Sequence, residues 1–166
     1  DLDGNGLDDL ALAESAQRPE EAMRLYGLTA MLHQGDRIVR LPVPPLDDAG
    51  LYGRTMAPLF GPRPDLLAGG SHTPPRVLKN ARDSGANRWI VLKILGRGGE
   101  SATVEIEACG RTWTVHPGDH AGPRGSSPPW VMRGIGDCDY AHATVSTLDA
   151  RRIDLVVRVG DIATVI

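Results

Sequence analysis

Short runs of apolar residues, separated by turn-forming residues, recur along the first half of the chain and predict β-strands. The pattern predicts a strand at residues 10–14 and a hairpin over residues 27–41, with its turn at residues 34–36. A further short strand is predicted around residues 55–60, and the polar stretch at 14–26 is expected to be an exposed connection. The first half of the chain is therefore expected to consist of strands and turns.

The second half continues in strands, and the first of them is apolar on nearly both faces. Residues 89–94 have apolar side chains at odd and even positions alike, which predicts a central strand that is covered on both sides. A turn is predicted at Gly134-Ile135-Gly136. Strict alternation predicts a strand at residues 103–107, and further short strands are predicted at residues 112–115, 130–132, 143–147 and 153–159. Six or seven short strands without a convincing helix predict a β-sandwich-like module.

The composition fits a folded protein of this kind and argues against two classes of partner. Apolar residues make up 41% of the 166 residues and charged residues 23%, which is typical of a globular chain. The 20 glycines and 13 prolines are spread along the chain, as expected for many short strands joined by turns. A net charge of −3 gives no sign of a nucleic-acid-binding surface. No apolar run approaches the roughly 18 residues that a membrane span needs.

The first nine residues, which we call the acidic loop, carry the clearest candidate chemistry. Gly6 allows a tight turn within this stretch. Calcium takes roughly six to eight oxygen ligands, and alternating oxygen-bearing side chains around a glycine supply such a shell. The sequence therefore predicts a Ca2+ site, and the alternative is a solvated acidic turn without an ion. The candidate ligands are the side chains of Asp1, Asp3, Asn5 and Asp9 and the backbone carbonyl of Leu7.

The residues after the acidic loop distinguish between kinds of calcium loop. An EF-hand needs a glutamate at its twelfth position, where this chain has Leu12, and a dockerin-like loop would also need an acid there. Here the loop runs directly into the strand predicted at 10–14. This order resembles the FG-GAP/VCBS repeat of integrin-like β-propellers, whose usual pattern is DxDxDGxxDL, with Asn5 in place of one aspartate. The resemblance implies calcium-stabilised propeller blades, and a ligand at Asp1 leads us to expect further chain before it.

Part of the same pattern returns at Asp65. Residues 65–70 repeat the pattern of residues 9–14, and repetition at about this spacing is typical of propeller blades. Residues 61–64, Gly-Pro-Arg-Pro, replace the ion-binding residues in this copy, so Asp65 is predicted to be an orphan carboxylate without a cation. Arg63 is a candidate to supply the missing positive charge, and an ordinary surface arginine is the alternative.

Several segments in the second half carry a further resemblance. They are Leu78-Lys79-Asn80 with residues 87–96, Gly134-Ile135-Gly136, and residues 151–157. Together they resemble the ASPIC/UnbV domain, which commonly follows FG-GAP/VCBS repeats in secreted and surface proteins. The chain departs from the family pattern at residues 99–103 and lacks its terminal Trp-Pro. The family has no established active site, so the resemblance implies no catalytic residues.

These observations predict an all-β chain with partial β-propeller blades followed by a β-sandwich-like domain. The predicted units are propeller blades over residues 1–80, a polar linker at 81–87 and an ASPIC/UnbV-like domain over 88–166. One or two blades cannot close a ring. We therefore expect missing upstream blades or a protein partner to cover the open edge.

One cluster of side chains suggests catalysis or zinc binding. His116, Asp119 and His120 could bind zinc or act as a base and its orienting group. However, they surround an exposed Pro-Gly turn, and no third zinc ligand lies at a characteristic spacing. This cluster therefore supports only a third class of function, an accessory enzyme domain.

The cysteines and tryptophans leave alternatives open. Cys109 and Cys138 are either a disulfide or two buried free thiols. Trp89 is predicted to lie in the core, and Trp113 stands between two threonines and should have one wet face. Trp130 follows two prolines at a loop end and is the candidate for contact with a partner, with core packing as the alternative.

The predicted function is non-enzymatic. We expect a calcium-stabilised structural or adhesive module, located outside the cytoplasm, that works through protein–protein contact. The alternative is a carbohydrate-binding module that binds a glycan through exposed tryptophan. Neither nucleic acid nor a membrane span is expected.

Overall fold

The computed structural model describes residues 1–16, 24–41, 51–70, 75–81, 85–96, 99–117 and 130–166, and this part of the chain is almost entirely β-structure. Its strands are β1 (Leu10–Ala16), β2 (Arg24–Gln34), β3 (Arg37–Leu41), β4 (Leu51–Ala57), β5 (Asp65–Gly70), β6 (Arg76–Leu78), β7 (Arg88–Ile94), β8 (Thr103–Ala108), β9 (Arg111–Val115), β10 (Trp130–Gly136), β11 (Tyr140–Ser146), β12 (Arg152–Arg158) and β13 (Ile162–Val165). The predicted all-β class is confirmed. Within these ranges no helix is long and apolar enough to span a membrane.

The first six strands form two antiparallel sheets of three strands each, in the orders β1-β2-β3 and β4-β5-β6. The predicted hairpin is confirmed, with β2 and β3 joined through Gly35 and Asp36. Strands β1 and β2 extend into the stretch predicted as a connection, of which residues 17–23 lie outside the described ranges. The strand predicted at 55–60 ends at Ala57 instead. Beyond it, the amides of Leu59 and Phe60 turn toward the Asp65 carboxylate.

The strands after residue 87 form two sheets that enclose one hydrophobic core. One sheet has the order β10-β7-β13 and the other β12-β11-β8-β9. Strand β11 alternates between buried and exposed positions, whereas β7 is buried on both faces, as its apolar pattern predicts. Ile90 and Leu92 of β7 meet Val104 and Ile106 of β8 in the core, and all four are fully buried. In the described residues, no strand pairs across the interval between β6 and β7.

Two features of the second half differ from the sequence-based prediction. Gly134-Ile135-Gly136 is not a turn but the end of β10, where a register shift between Gly134 and Gly136 interrupts the pairing with β7. The amide of Gly136 instead donates to the carbonyl of Gly4, 2.9 Å away. Strand β13 was not predicted, because it is short and finds its place only by pairing in parallel with β7.

A disulfide joins the turn between β8 and β9 to the turn between β10 and β11. Cys109 and Cys138 are bonded, with their Cα atoms 6.2 Å apart. Of the two arrangements that the sequence leaves open, the disulfide is therefore the one present. The link holds β9 and β10, which are edge strands of the two facing sheets, at one side of the sandwich.

Candidate metal centre in the acidic loop

The three carboxylates predicted to bind calcium converge in the structure. One carboxylate oxygen from each of Asp1, Asp3 and Asp9 lies within 4.8 Å of the other two. Asp3 is buried, with 4% of its surface exposed, and the other two are half-buried. Two like charges at this distance repel by about 1 kcal/mol in water and by several times more near a protein surface. This arrangement therefore suits a bound cation.

The side chains of the loop fold it by accepting hydrogen bonds from its own backbone. Asp1 accepts the amides of Gly4 and Gly6, at 2.7 and 2.8 Å. Asp3 accepts the amide of Asn5 at 3.2 Å. Asn5 Oδ1 in turn accepts the amide of Leu7 at 2.7 Å. Short Asp and Asn side chains favour such local bonds, which is why alternating Asp and Asn curl the chain around their own oxygens.

Asp9 connects the acidic loop to the first sheet. One of its carboxylate oxygens accepts the amide of Leu2, and the other accepts the amide of His33 near the end of β2, at 2.7 Å. The side-chain amide of Asn5 donates to the carbonyl of His33 at 2.8 Å. Asp9 and Asn5 therefore hold the acidic loop against β2 at the point where β1 begins. Asn5 Oδ1 and the Leu7 carbonyl remain predicted ligands of the same loop.

The outer side of the loop is bound by a set of donors that we call the cradle. Six consecutive backbone carbonyls, from Asp1 to Gly6, accept hydrogen bonds from it. In order along the loop, the donors are Trp89 Nε1, Asn80 Nδ2, Asn87 Nδ2, the Gly136 amide and Arg111 Nη1, and the carbonyl of Gly6 accepts from both Trp113 Nε1 and Arg133 Nη2. All of these donors come from residues far along the chain, most of them in the sandwich.

Close packing accompanies these bonds and requires glycine in the loop. A Cβ on Gly4 would lie 2.8 Å from the ring of Trp89, and one on Gly6 would lie 2.9 Å from the ring of Trp113. Both glycines also have positive φ, +79° and +84°, which other residues rarely adopt. The two indoles therefore pack directly against loop backbone while donating to it.

Arg133 brings a buried positive charge to the loop. Only 7% of this residue is exposed. Its guanidinium contacts the carboxylate of Asp8 and the carbonyl of Gly6, and it lies 5.3 Å from the centre of the Trp113 ring. This charge offsets part of the negative charge of the acidic loop from the outside, and the three converging carboxylates face one another inside.

The sequence prediction found the inner oxygens of the loop but missed the cradle. Trp89 is buried, as predicted, yet it also binds the loop, and the contact of Trp113 with the loop was not anticipated. The proposed ion ligands lie close together in the sequence, whereas the cradle donors come from separate segments of the chain. The resemblance to the ASPIC/UnbV domain covered part of the cradle, in residues 78–80, 87–96 and 134–136, but assigned it no role.

Asp65 occupies in the second sheet the place that Asp9 has in the first. Leu10 pairs with Met31, and Asp9 accepts the amide two residues further on. Leu66 pairs with Leu78, and Asp65 likewise accepts the amide of Asn80, at 2.8 Å. The repeat seen in the sequence at residues 9–14 and 65–70 is therefore also present in the structure.

The absence of a cation at Asp65 stays a prediction, but the implied absence of any partner is wrong. Asp65 is 2% exposed and also accepts the amides of Leu59 and Phe60, at 3.1 and 3.0 Å. Backbone amides thus satisfy it without a cation. The guanidinium of Arg63 lies 5.5 Å from the centre of the Trp89 ring, so this residue packs on the cradle.

Among the described residues, the remaining candidates do not form a further site. Trp130 begins β10, pairs with Lys93 and is half-buried, so a partner-binding role stays a prediction. His116 follows β9 and is exposed, and the other two members of its predicted cluster, residues 119 and 120, lie outside the described ranges. Cys109, Cys138 and Asp137 are close together, but the two sulfur atoms are bonded to each other and are not available as thiolate ligands.

Comparison with known proteins adds no further assignment. No protein-family model matches the chain, and no curated protein matches it significantly. The resemblances to FG-GAP/VCBS and ASPIC/UnbV sequences therefore stay predictions.

Proposed function

We propose that the acidic loop binds one Ca2+ ion and that this ion stabilises the fold. The observation that carries the proposal is the convergence of the Asp1, Asp3 and Asp9 carboxylates within 4.8 Å of one another. Three carboxylates are hard oxygen ligands of the kind that calcium prefers. The Asn5 side chain and the Leu7 carbonyl are the proposed additional ligands. The bound ion would neutralise the repulsion that otherwise opens the loop.

We further propose a structural or adhesive role outside the cytoplasm, in contact with a protein partner. The disulfide between Cys109 and Cys138 supports this location, because disulfides persist mainly in oxidising compartments. The proposed calcium site fits this location as well, since extracellular modules use calcium sites of modest affinity at high ambient calcium. The chain's own residues act in this role by holding the ion and ordering the loop. No catalytic step is proposed.

Calcium is expected to raise the melting temperature of the protein. At a calcium concentration of about 100 times Kd, ion binding adds about 2.7 kcal/mol to the free energy of unfolding. For a chain of this size, that corresponds to a shift of roughly 5–10 °C relative to the protein in chelator. Thermal unfolding followed by circular dichroism, with calcium and with EGTA, measures the shift.

Two variants make this measurement specific. Asp3→Asn removes one converging charge and should abolish most of the shift, while Asp36→Asn, in the exposed turn between β2 and β3, should retain it. Equal melting temperatures of the wild-type protein in calcium and in chelator would show that calcium does not stabilise the fold.

A further inference from the structure

The acidic loop forms hydrogen bonds on two sides. Its inner side faces its own side chains, and its outer side faces the cradle. Its amides bind the Asp and Asn side chains of the loop itself, and its carbonyls bind the cradle. We propose that the cradle is a recognition surface for the calcium-loaded form of the acidic loop. Ion binding and docking of the loop on the sandwich are then coupled. This proposal rests on the calcium site proposed above.

The coupling runs through individual peptide units. A peptide unit is planar and trans, so its N–H and C=O groups point in opposite directions. The unit that joins Asp3 to Gly4 donates its N–H inward to Asp1, and its carbonyl accepts from Asn87 at 3.1 Å. The unit between Gly4 and Asn5 donates inward to Asp3, and its carbonyl accepts from the Gly136 amide. Each inward bond therefore aims one carbonyl at the cradle.

The same arrangement continues to the end of the turn. The unit between Asn5 and Gly6 donates to Asp1, and its carbonyl accepts from Arg111 at 3.2 Å. The unit between Gly6 and Leu7 donates to Asn5, and its carbonyl accepts from Trp113 at 2.9 Å. The oxygens on the inner side thus belong to the proposed ion ligands, and the donors on the outer side belong to the cradle.

Charge makes this geometry depend on the ion. Without a cation, the carboxylates of Asp1, Asp3 and Asp9 repel one another at the distance found here. A carboxylate that moves away releases the amide it accepts, and the freed peptide unit can rotate and withdraw its carbonyl from the cradle. By reciprocity, calcium favours docking of the loop by the same factor by which docking favours calcium binding. Removing a cradle donor weakens docking and is therefore expected to weaken ion binding as well. The cradle therefore favours the ion-loaded loop over the open one.

The partner that fits the cradle is a glycine-containing acidic loop. Recognition through carbonyls is independent of side chains, but the contacts of Trp89 and Trp113 exclude a Cβ at Gly4 and Gly6. The chain's own residues 1–9 meet both requirements and are the occupant of this surface.

Calcium titration of two cradle variants tests the coupling. Trp113→Phe removes the indole donor to Gly6 but keeps an aromatic ring, and we expect calcium affinity to fall about fivefold, as for the loss of one hydrogen bond. Arg111→Met removes the donor to Asn5 from an exposed side chain and should weaken binding in the same direction without disturbing the core. The matched control is Tyr140→Phe, which removes a hydroxyl from an exposed residue of β11 and should leave calcium affinity unchanged. None of these residues is a proposed ion ligand.

The indole N–H signals of the three tryptophans provide a second measurement on the intact wild-type protein. On adding calcium, the NMR signals of Trp89 and Trp113 should shift and exchange more slowly with solvent, and the signal of Trp130 should not move. If the wild-type protein binds no calcium, both the proposed function and this coupling fail. If it binds calcium and both cradle variants bind with wild-type affinity, the coupling alone fails. Indole signals of Trp89 and Trp113 that ignore calcium contradict the coupling in the same way.

Discussion

Gly134→Ala is expected to lower the free energy of unfolding by about 3 kcal/mol, at the upper end of the usual cost of overpacking. A Cβ at this position would collide with the Asp1 carboxylate and would lie 2.5 Å from the Cα of Gly4 and 2.6 Å from its carbonyl carbon. Because Gly4 meets the new Cβ with backbone atoms, the loop itself must move off β10. Gly134 does not have a positive φ, so alanine fits its backbone conformation and the clash alone causes the loss.

Urea unfolding, with and without calcium, measures the cost of Gly134→Ala, and Gly160→Ala is its control. Gly160 has a φ of +84° and no neighbour near its Cβ position, so alanine there should cost only about 1 kcal/mol of backbone strain. The Gly134 variant should also lose most of its stabilisation by calcium, because its acidic loop no longer docks. Wild-type stability and wild-type calcium response in Gly134→Ala would show that the loop does not lie against β10.

Asp65→Ala is expected to cost about 3 kcal/mol, because three backbone amides lose their buried acceptor. Asp9→Ala removes the equivalent carboxylate from the first sheet, but its cost should depend on calcium. In chelator it loses the acceptor of two amides, and at a calcium concentration of about 100 times Kd it also loses about 2.7 kcal/mol of ion binding. Paired unfolding curves in calcium and in EGTA separate the two effects.

The exposed residue Asp36 supplies the control for this pair. Asp36→Ala should change stability by less than about 0.5 kcal/mol under either condition. Asp65 also holds Asn80 of the cradle, so a small increase of its cost with calcium is compatible with the coupling. A cost of Asp65→Ala that grows with calcium as much as that of Asp9→Ala would indicate an ion near Asp65 and contradict its satisfaction by amides. A cost of Asp9→Ala that is the same in calcium and in EGTA would contradict its proposed role as a ligand.

The acidic loop could be predicted from sequence because its folding is local. Asp1, Asp3 and Asn5 each accept an amide two to five residues further on, so their spacing almost defines the turn. Most strands could be predicted for the same reason, since alternation in residues 103–107 and the apolar run of β7 reflect burial directly.

The cradle could not be predicted because it depends on contacts between distant segments. The patterns of the strands that contain Trp89 and Trp113 report burial, and nothing nearby indicates that the indole N–H groups bind loop carbonyls. The misassigned turn at Gly134-Ile135-Gly136 has the same origin. Its glycines indicate a turn by local rules, whereas in the structure the missing side chain of Gly134 allows the backbone of Gly4 to pack against β10.

Asp65 shows that a repeated motif can keep its structural role when the residues proposed to bind an ion are replaced. The position at the start of the strand and the bond to the neighbouring strand are the same as for Asp9. The implied absence of any partner was wrong because backbone amides of Leu59 and Phe60 can replace a cation, and backbone donors leave no trace in sequence.

Isothermal titration of the chelator-treated protein with calcium tests whether the acidic loop binds an ion. We expect one ion per chain, with affinity reduced at least tenfold in Asp3→Asn and retained in Asp36→Asn. Absence of calcium binding by the wild-type protein, or equally tight binding by Asp3→Asn, would contradict the proposed calcium site.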